Sequence, residues 1–241
     1  MTNKKGTGFV PTGFVPFEQV FEEAAKGIDS LILVSGGLDS AYVLWEYSRV
    51  VTDRPIHAHH VKLMPSVRKR HKVEELLVKK QVAYIDRQVH LYESIIDVDD
   101  KAKCGLMRDF FMPVLMSVQM ALVHKLKYIV IGEDLIVAFL RNTGITKRSR
   151  PFEDAQVEAL SHMVWAGSYG NVQLSWHTES KDFFNKYISM PREYMKLCFS
   201  CRDPVFTGEH MEVCGKCISC HRNQMLEIED LLCQRMKWEE Q

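Results

Sequence analysis

Apolar positions follow two rhythms along this chain: short unbroken runs, and longer stretches with helical spacing. Leu31-Ile32-Leu33-Val34 is a four-residue apolar run ending in Ser35-Gly36-Gly37, the profile of a strand buried on both faces. Asp39 to Val50 then carries Ala41, Val43, Leu44 and Tyr47 at helical spacing. The same alternation predicts a helix over 17–25, a strand over 56–61, a charged amphipathic helix over 70–83 and a strand over 88–91. It continues with a long apolar helix over 106–127 and a buried strand, Tyr128 to Gly132, with Glu133 and Asp134 at its carboxyl end. Further helices are expected over 152–165, 181–190 and 222–239. Repeated strand–helix units of this length predict an α/β fold, a doubly wound parallel sheet with helices on both faces. Ligands in such sheets sit beyond the carboxyl ends of the strands.

Before the first helix, Thr7-Gly8-Phe9-Val10-Pro11 is repeated as Thr12-Gly13-Phe14-Val15-Pro16, which reads as a mobile arm over 1–16. A main domain is expected over 17–190, and a small helical C-terminal region over 191–241 packed on it. Lys plus Arg number 31 and Asp plus Glu 31, a net charge of zero, which argues against a nucleic-acid coat. The longest apolar stretch, Phe110 to Val123, is interrupted by Pro113, Ser117 and Gln119 and suits a buried helix better than a membrane span. Without an apolar run after Met1-Thr2-Asn3-Lys4-Lys5, the expectation is a cytoplasmic protein.

Two motifs carry chemistry. Ser35-Gly36-Gly37-Leu38-Asp39-Ser40 lies where a buried strand turns into a helix. Adjacent glycines let the backbone fold so that successive N–H groups form an anion nest, and the helix adds its positive end. Ser35 and Ser40 supply hydroxyls, while Asp39 is placed to hold Mg²⁺ or to cap the helix. The loop lacks the Walker spacing and its lysine, which suits attack at the α-phosphate of ATP with pyrophosphate leaving.

The second motif is Cys198-Phe199-Ser200-Cys201 followed by Cys214-Gly215-Lys216-Cys217-Ile218-Ser219-Cys220, holding five of the seven cysteines. Tight C-x-x-C spacing without an export signal points to a metal, Zn²⁺ first, rather than to disulfides, with a redox dithiol, a sulfur-carrying pair and an iron–sulfur site as the other readings. Five thiols compete for four places. Lys196, Arg202, Lys216, His221 and Arg222 lie close enough in sequence to offset the thiolate charge.

The first string resembles the PP-loop of the ATP-pyrophosphatase superfamily, with its adenine nucleotide α-hydrolase-like sheet. Together with the cysteine motif it resembles the 7-cyano-7-deazaguanine synthase family, in which a Ser-Cys precedes C-G-x-C-x-S-C, as Ser200-Cys201 precedes Cys214 to Cys220. That resemblance implies zinc on Cys201, Cys214, Cys217 and Cys220, leaving Cys198 outside. Arg70-His71-Lys72-Val73-Glu74 matches the family's R-H-x-x-E and implies Arg70 and His71 beside the nucleotide. More weakly, Arg150-Pro151 resembles C-R-P-E-F, and Lys181 fits a lysine that neutralises a phosphate or an acyl adenylate.

The implied reaction joins a 7-deazaguanine-type carboxylate to ammonia at the expense of ATP, through an acyl adenylate, in a homodimer. The chain departs from the family at Met112-Pro113-Val114-Leu115 and over Arg141 to Arg150, where base-recognising motifs are expected. Other readings are transfer of the acyl adenylate to another amine, and RNA-base sulfur transfer. The last needs a reactive thiol, Cys198 or Cys104, and a basic face, for which 147–150 and 68–72 offer little. A catalytically silent zinc protein is opposed by the intact loop.

Overall fold

The computed structural model describes residues 14–64, 70–97, 111–132, 150–176, 189–201, 203–207, 210–225 and 229–237. Six parallel strands form the central sheet: β1 (Phe14–Pro16), β2 (Ser30–Val34), β3 (Ile56–Met64), β4 (Val89–Asp97), β5 (Tyr128–Ile131) and β6 (Gln173–Trp176). Their order across the sheet is β1-β6-β5-β2-β3-β4. The chain therefore steps outward from β2 through β3 to β4, then returns to the other side of β2 for β5. The crevice between the carboxyl ends of β2 and β5 is the topological switch point, where ligands bind in such sheets.

The alternation along the strands sorts the core into two layers. Ile32 and Val34 of β2, with Tyr128 and Val130 of β5, join a cluster with α1 (Phe17–Ala24) and α2 (Leu38–Val50). Leu31, Ile129 and Ile131 point the other way, against α4 (Met112–Val123) and α5 (Arg150–Gly167). Between β3 and β4 runs α3 (Arg70–Tyr84), on the same face as α2. Both faces of β2 and β5 are covered, which is why these runs read as continuous rather than alternating apolar sequence. Among the described residues no helix is long and apolar enough to cross a membrane.

The structure departs from expectation in several places, each through tertiary contacts. Residues 14–16 of the expected arm form edge strand β1, in register with Leu174 to Trp176 of β6. Strand β4 extends to Asp97 because all nine of its residues pair with β3. Helix α4 stops at Val123, where Lys125 takes φ 57° and Leu126 N–H returns to Ala121 O at 2.8 Å. This left-handed closure is made by a lysine where glycine is usual, so nothing in the sequence marks it. Expectations on residues 1–13, 98–110 (Cys104 included), 133–149 and 177–188, the last holding most of the 181–190 helix and Lys181, lie outside the described residues.

The C-terminal region is less helical than expected. After α6 (Arg192–Met195), strands β7 (Val205–Thr207), β8 (His210–Glu212) and β9 (Arg235–Lys237) form an antiparallel sheet. The expected 222–239 helix is replaced by α7 (Ile218–Met225), a 3₁₀ turn at Glu229–Leu231 and β9. Pairing of Met236 with the fully buried Met211 overrides local helical preference there.

A buried polar link crosses the α4 face. His59 has its Nδ1 2.8 Å from Ser117 Oγ and its Nε2 2.9 Å from Ser94 Oγ. Ser117 Oγ donates to Pro113 O at 2.8 Å, so it accepts from Nδ1–H, and Nε2 accepts from Ser94. Burial, then the neighbouring His60, pushes the His59 pKa down to about 4.

Two stability predictions follow from this packing. An unfolded imidazole takes a proton near pH 6.5, whereas His59 stays neutral in the fold until about pH 4. The unfolded state therefore binds more protons in that window, and stability should fall as pH drops through it, by at most about 1.4 kcal/mol per pH unit. Urea titrations should show a shallower fall for His59→Gln; equal slopes would assign the effect elsewhere. At the switch point, a Cβ on Gly132 would lie 2.6 Å from the Asp39 carbonyl. Gly132→Ala should accordingly cost about 1–3 kcal/mol in urea unfolding by forcing α2 away from β5.

Candidate functional site: an anion loop joined to a cysteine cluster

The sequence places two glycines directly after a doubly buried strand, and the chain has only that point at which to reverse into α2. Gly36 takes φ +75°, and a Cβ there would meet Glu74 O at 3.1 Å and Leu77 Cβ at 3.2 Å. Gly37 is the N-cap of α2 with no side-chain cap, and Asp39 lies in the first turn. Ser40 Oγ accepts from Ser35 N–H at 3.1 Å, lies 3.1 Å from Ser35 Oγ and donates to Gly37 O at 3.2 Å. The hydroxyls thus hold the two ends of the loop together. Leu38, whose side chain is fully buried, anchors it to the core.

Ser35 to Ser40 occupy the β2–α2 junction expected of them, beside Gly132 at the end of β5. This arrangement presents the amino end of a 13-residue helix at the switch crevice, a fit for an anion such as a polyphosphate. The R-H-x-x-E motif is brought to the same place, since Glu74 contacts the Gly36 position. His71 is half-buried, and its Nδ1 is enclosed without a hydrogen-bond partner among the described residues. Burial first, then Lys72, holds its pKa below the ordinary histidine value, so it is largely neutral near pH 7. Arg70 begins α3, but its side chain lies outside the described residues, as does all of Lys181.

The thiols of Cys201, Cys214, Cys217 and Cys220 converge, with every sulfur within 4.8 Å of the others. Individual separations are 3.9 Å for Cys201–Cys217, 4.0 Å for Cys214–Cys220 and 3.5 Å for Cys217–Cys220. A single ion bound tetrahedrally by thiolates at about 2.3 Å sets its sulfurs about 3.8 Å apart, so one ion fits. A four-iron cluster spreads its cysteines over separate metal atoms and needs wider spacing. Backbone N–H groups already point at the sulfurs, from Cys214 to Cys201 Sγ at 3.3 Å and from Cys217 to Cys214 Sγ at 3.2 Å. Crowding raises the thiols: Cys220 is pushed up to about 11 by burial and then by Cys217, and Cys201 rises through its hydrogen bond with Cys217 and through burial. Such a set ionises together only around a cation whose charge offsets theirs.

Cys198 lies outside this group. It is fully buried, 3.7 Å from Gln81 Nε2 and from Tyr194 O, and burial followed by the Asp39 charge raises its thiol strongly. Five candidates for four places are thus resolved by the backbone between Cys198 and Cys201, which turns one sulfur toward Gln81 and Tyr194 and the other, also buried, toward the remaining three sulfurs.

The loop and the cluster are joined. Phe199 N–H donates to Gly36 O at 3.0 Å, and Leu38 N–H donates to Ser200 Oγ at 3.3 Å. Gln81 Nε2 reaches both Gly36 O, at 3.1 Å, and Leu197 O, at 2.9 Å. Sequence reasoning missed Gln81. Its signal was present: Val73, Leu77, Gln81 and Ile85 share one helical stripe, and an amide amid apolar positions marks a buried polar contact.

Metal content and stability should respond differently to the two kinds of cysteine. Cys217→Ser should lower bound metal and the thermal midpoint together, by elemental analysis and calorimetry on the same preparation. Cys198→Ala should leave metal stoichiometry unchanged while costing about 1–3 kcal/mol through the cavity left in the core.

Comparison with known proteins adds no family. No family model matches the chain, and no curated protein matches it. Among solved structures, the U34-tRNA thiolase NcsA from Methanococcus maripaludis, described with its [4Fe-4S] cluster, is similar over 89% of this chain and 72% of its own, at 14% identity and a TM-score of 0.44.

Proposed function

We propose that this chain is an ATP-consuming enzyme that transfers AMP to its substrate and releases pyrophosphate. The observation that carries this reading is the Ser35–Ser40 loop at the switch point, at the amino end of α2 and without a Walker lysine. Donors concentrated where the β- and γ-phosphates would sit favour departure of pyrophosphate. Asp39 would hold Mg²⁺, which supplies charge neutralisation for the phosphates when bound. Cys201, Cys214, Cys217 and Cys220 would hold Zn²⁺ in a closed structural site.

The acceptor in this reading is a carboxylate of the 7-deazaguanine type. Its oxygen attacks the α-phosphorus, the bond to the bridging oxygen breaks, and pyrophosphate leaves. Ammonia then adds to the acyl carbon, the C–O bond to AMP breaks and the nitrogen releases a proton, giving the amide and AMP. The amide oxygen then attacks the α-phosphorus of a second ATP and pyrophosphate leaves; loss of AMP and of both amide N–H protons gives the nitrile. Support comes from the R-H-x-x-E motif, whose Glu74 backs Gly36, and from the four sulfurs that match the family spacing. Arg70, His71 and Lys181 are the proposed stabilisers of charge on the phosphate. The neutral state of His71 suits hydrogen bonding more than charge pairing. None of these steps calls for a side-chain nucleophile, which agrees with the burial of Cys198.

A second reading, sulfur transfer to an adenylated RNA base, is favoured by the partial exposure of Cys214 and Cys217, with the exposed Lys216 between them. One experiment separates the two. Incubation with 7-carboxy-7-deazaguanine, ammonia, Mg²⁺ and ATP should yield AMP, pyrophosphate and a product lighter than the acid. Asp39→Asn should reduce that turnover at least about tenfold, the loss of roughly one charge-assisted contact. AMP formed only with RNA and a sulfur donor would establish the second reading. Formation of ADP and orthophosphate would overturn adenylation altogether.

A further inference from the structure

The geometry points to Gln81 as a positioning residue for nucleotide phosphate: its amide, with the Phe199 N–H, holds the Gly36 carbonyl from behind and so turns the Gly37 N–H toward the bound anion. The inference deepens the adenylation reading and rests on it.

Gly36 O and Gly37 N–H belong to one planar trans peptide, so the carbonyl and the N–H point in opposite directions. The carbonyl has two lone pairs, and both are engaged, by Phe199 N–H at 3.0 Å and by Gln81 Nε2 at 3.1 Å. Both donors lie on the side of the loop occupied by α3 and the segment after α6. There the Gly36 Cβ position meets Glu74 and Leu77, leaving no room for a ligand. The Gly37 N–H therefore faces away from that wall, at the amino end of α2. Positive φ at Gly36 leaves this peptide free to rotate in an unrestrained loop, since glycine tolerates either orientation. Something must choose, and the two rear donors do so.

Gln81 is built for that task. It is fully buried on α3, and its Nε2 also donates to Leu197 O at 2.9 Å. Its Oε1 is enclosed without a partner among the described residues. The amide orientation is consequently dictated by two carbonyls, one in the anion loop and one four residues before the metal-ligand Cys201. A residue there only to fill space would be apolar, like Leu77 and Ile85 on the same stripe.

Equilibrium binding to the full chain with zinc bound tests this, using Mg-ATP and adenosine as separate probes. Gln81→Met keeps the volume and removes the donor. ATP affinity should fall about tenfold, one hydrogen bond's worth, with adenosine affinity and zinc content unchanged. Unchanged ATP affinity, or equal losses for ATP and adenosine, would overturn the inference. Wild-type protein that binds no ATP would instead overturn the functional reading itself, and the inference with it. Amide NMR of the wild-type chain titrated with inorganic pyrophosphate decides the matter if Gln81→Met does not fold. The Gly37 N–H resonance should move strongly, and an unmoved Gly37 signal would count against the proposal.

Discussion

One carbonyl, that of Gly36, joins three parts of this protein. It accepts from the backbone of Phe199 and from the side chain of Gln81, so the anion loop, helix α3 and the segment leading to the cysteines meet at a single atom. Each such bond contributes only about 1 kcal/mol net, yet leaving a buried carbonyl unpaired costs about 1–3 kcal/mol. The arrangement is thus maintained less by the strength of the contacts than by the cost of losing them. The glycine at this position is required twice, for its positive φ and for the closeness of Glu74 and Leu77.

That joint gives the cysteine region a role beyond its own stability. Tyr194, Met195, Cys198 and Leu232 lie in the same apolar cluster as α1 and α2, and Tyr194 OH donates to Ala41 O at 3.2 Å. Cys201 and Cys220 pack with Val73 and Leu77 of α3. The cysteine cluster therefore packs on the helix that backs the loop, and an ion held among the four sulfurs would stiffen the wall behind Gly36. Order imposed on Cys201 passes to Ser200 and Phe199, both of which touch the loop.

The two motifs were legible because each is local. A glycine pair after a buried strand predicts a tight strand-to-helix loop, and thiols three residues apart predict converging sulfurs, through spacing alone. The parallel sheet was legible for a similar reason, since runs such as Leu31 to Val34 and Tyr128 to Ile131 can only be buried on both faces. What spacing does not show is the partner of a polar residue. Gln81 and His59 look like ordinary side chains of a helix and a strand until the segments around 197 and 117 fold against them. Strand β1 and the end of α4 were hidden likewise, the first because its pairing partner is some 160 residues away, the second because a lysine adopts a glycine conformation.

By itself, then, the amino-acid order determined the layers of the fold, the place of the anion loop and the presence of a four-thiol set, because periodicity and short spacings are properties of neighbouring residues. Spacing alone left five thiols for four places, and only the family resemblance pointed to Cys198 as the one outside; its exclusion, and the groups that hold the Gly36 carbonyl, take physical form only in three dimensions. Cys198 and Cys201 have the same chemistry and nearly the same position in the chain. One is enclosed by Gln81 and Tyr194 while the other meets three more sulfurs, and that difference exists only once remote segments share the same space.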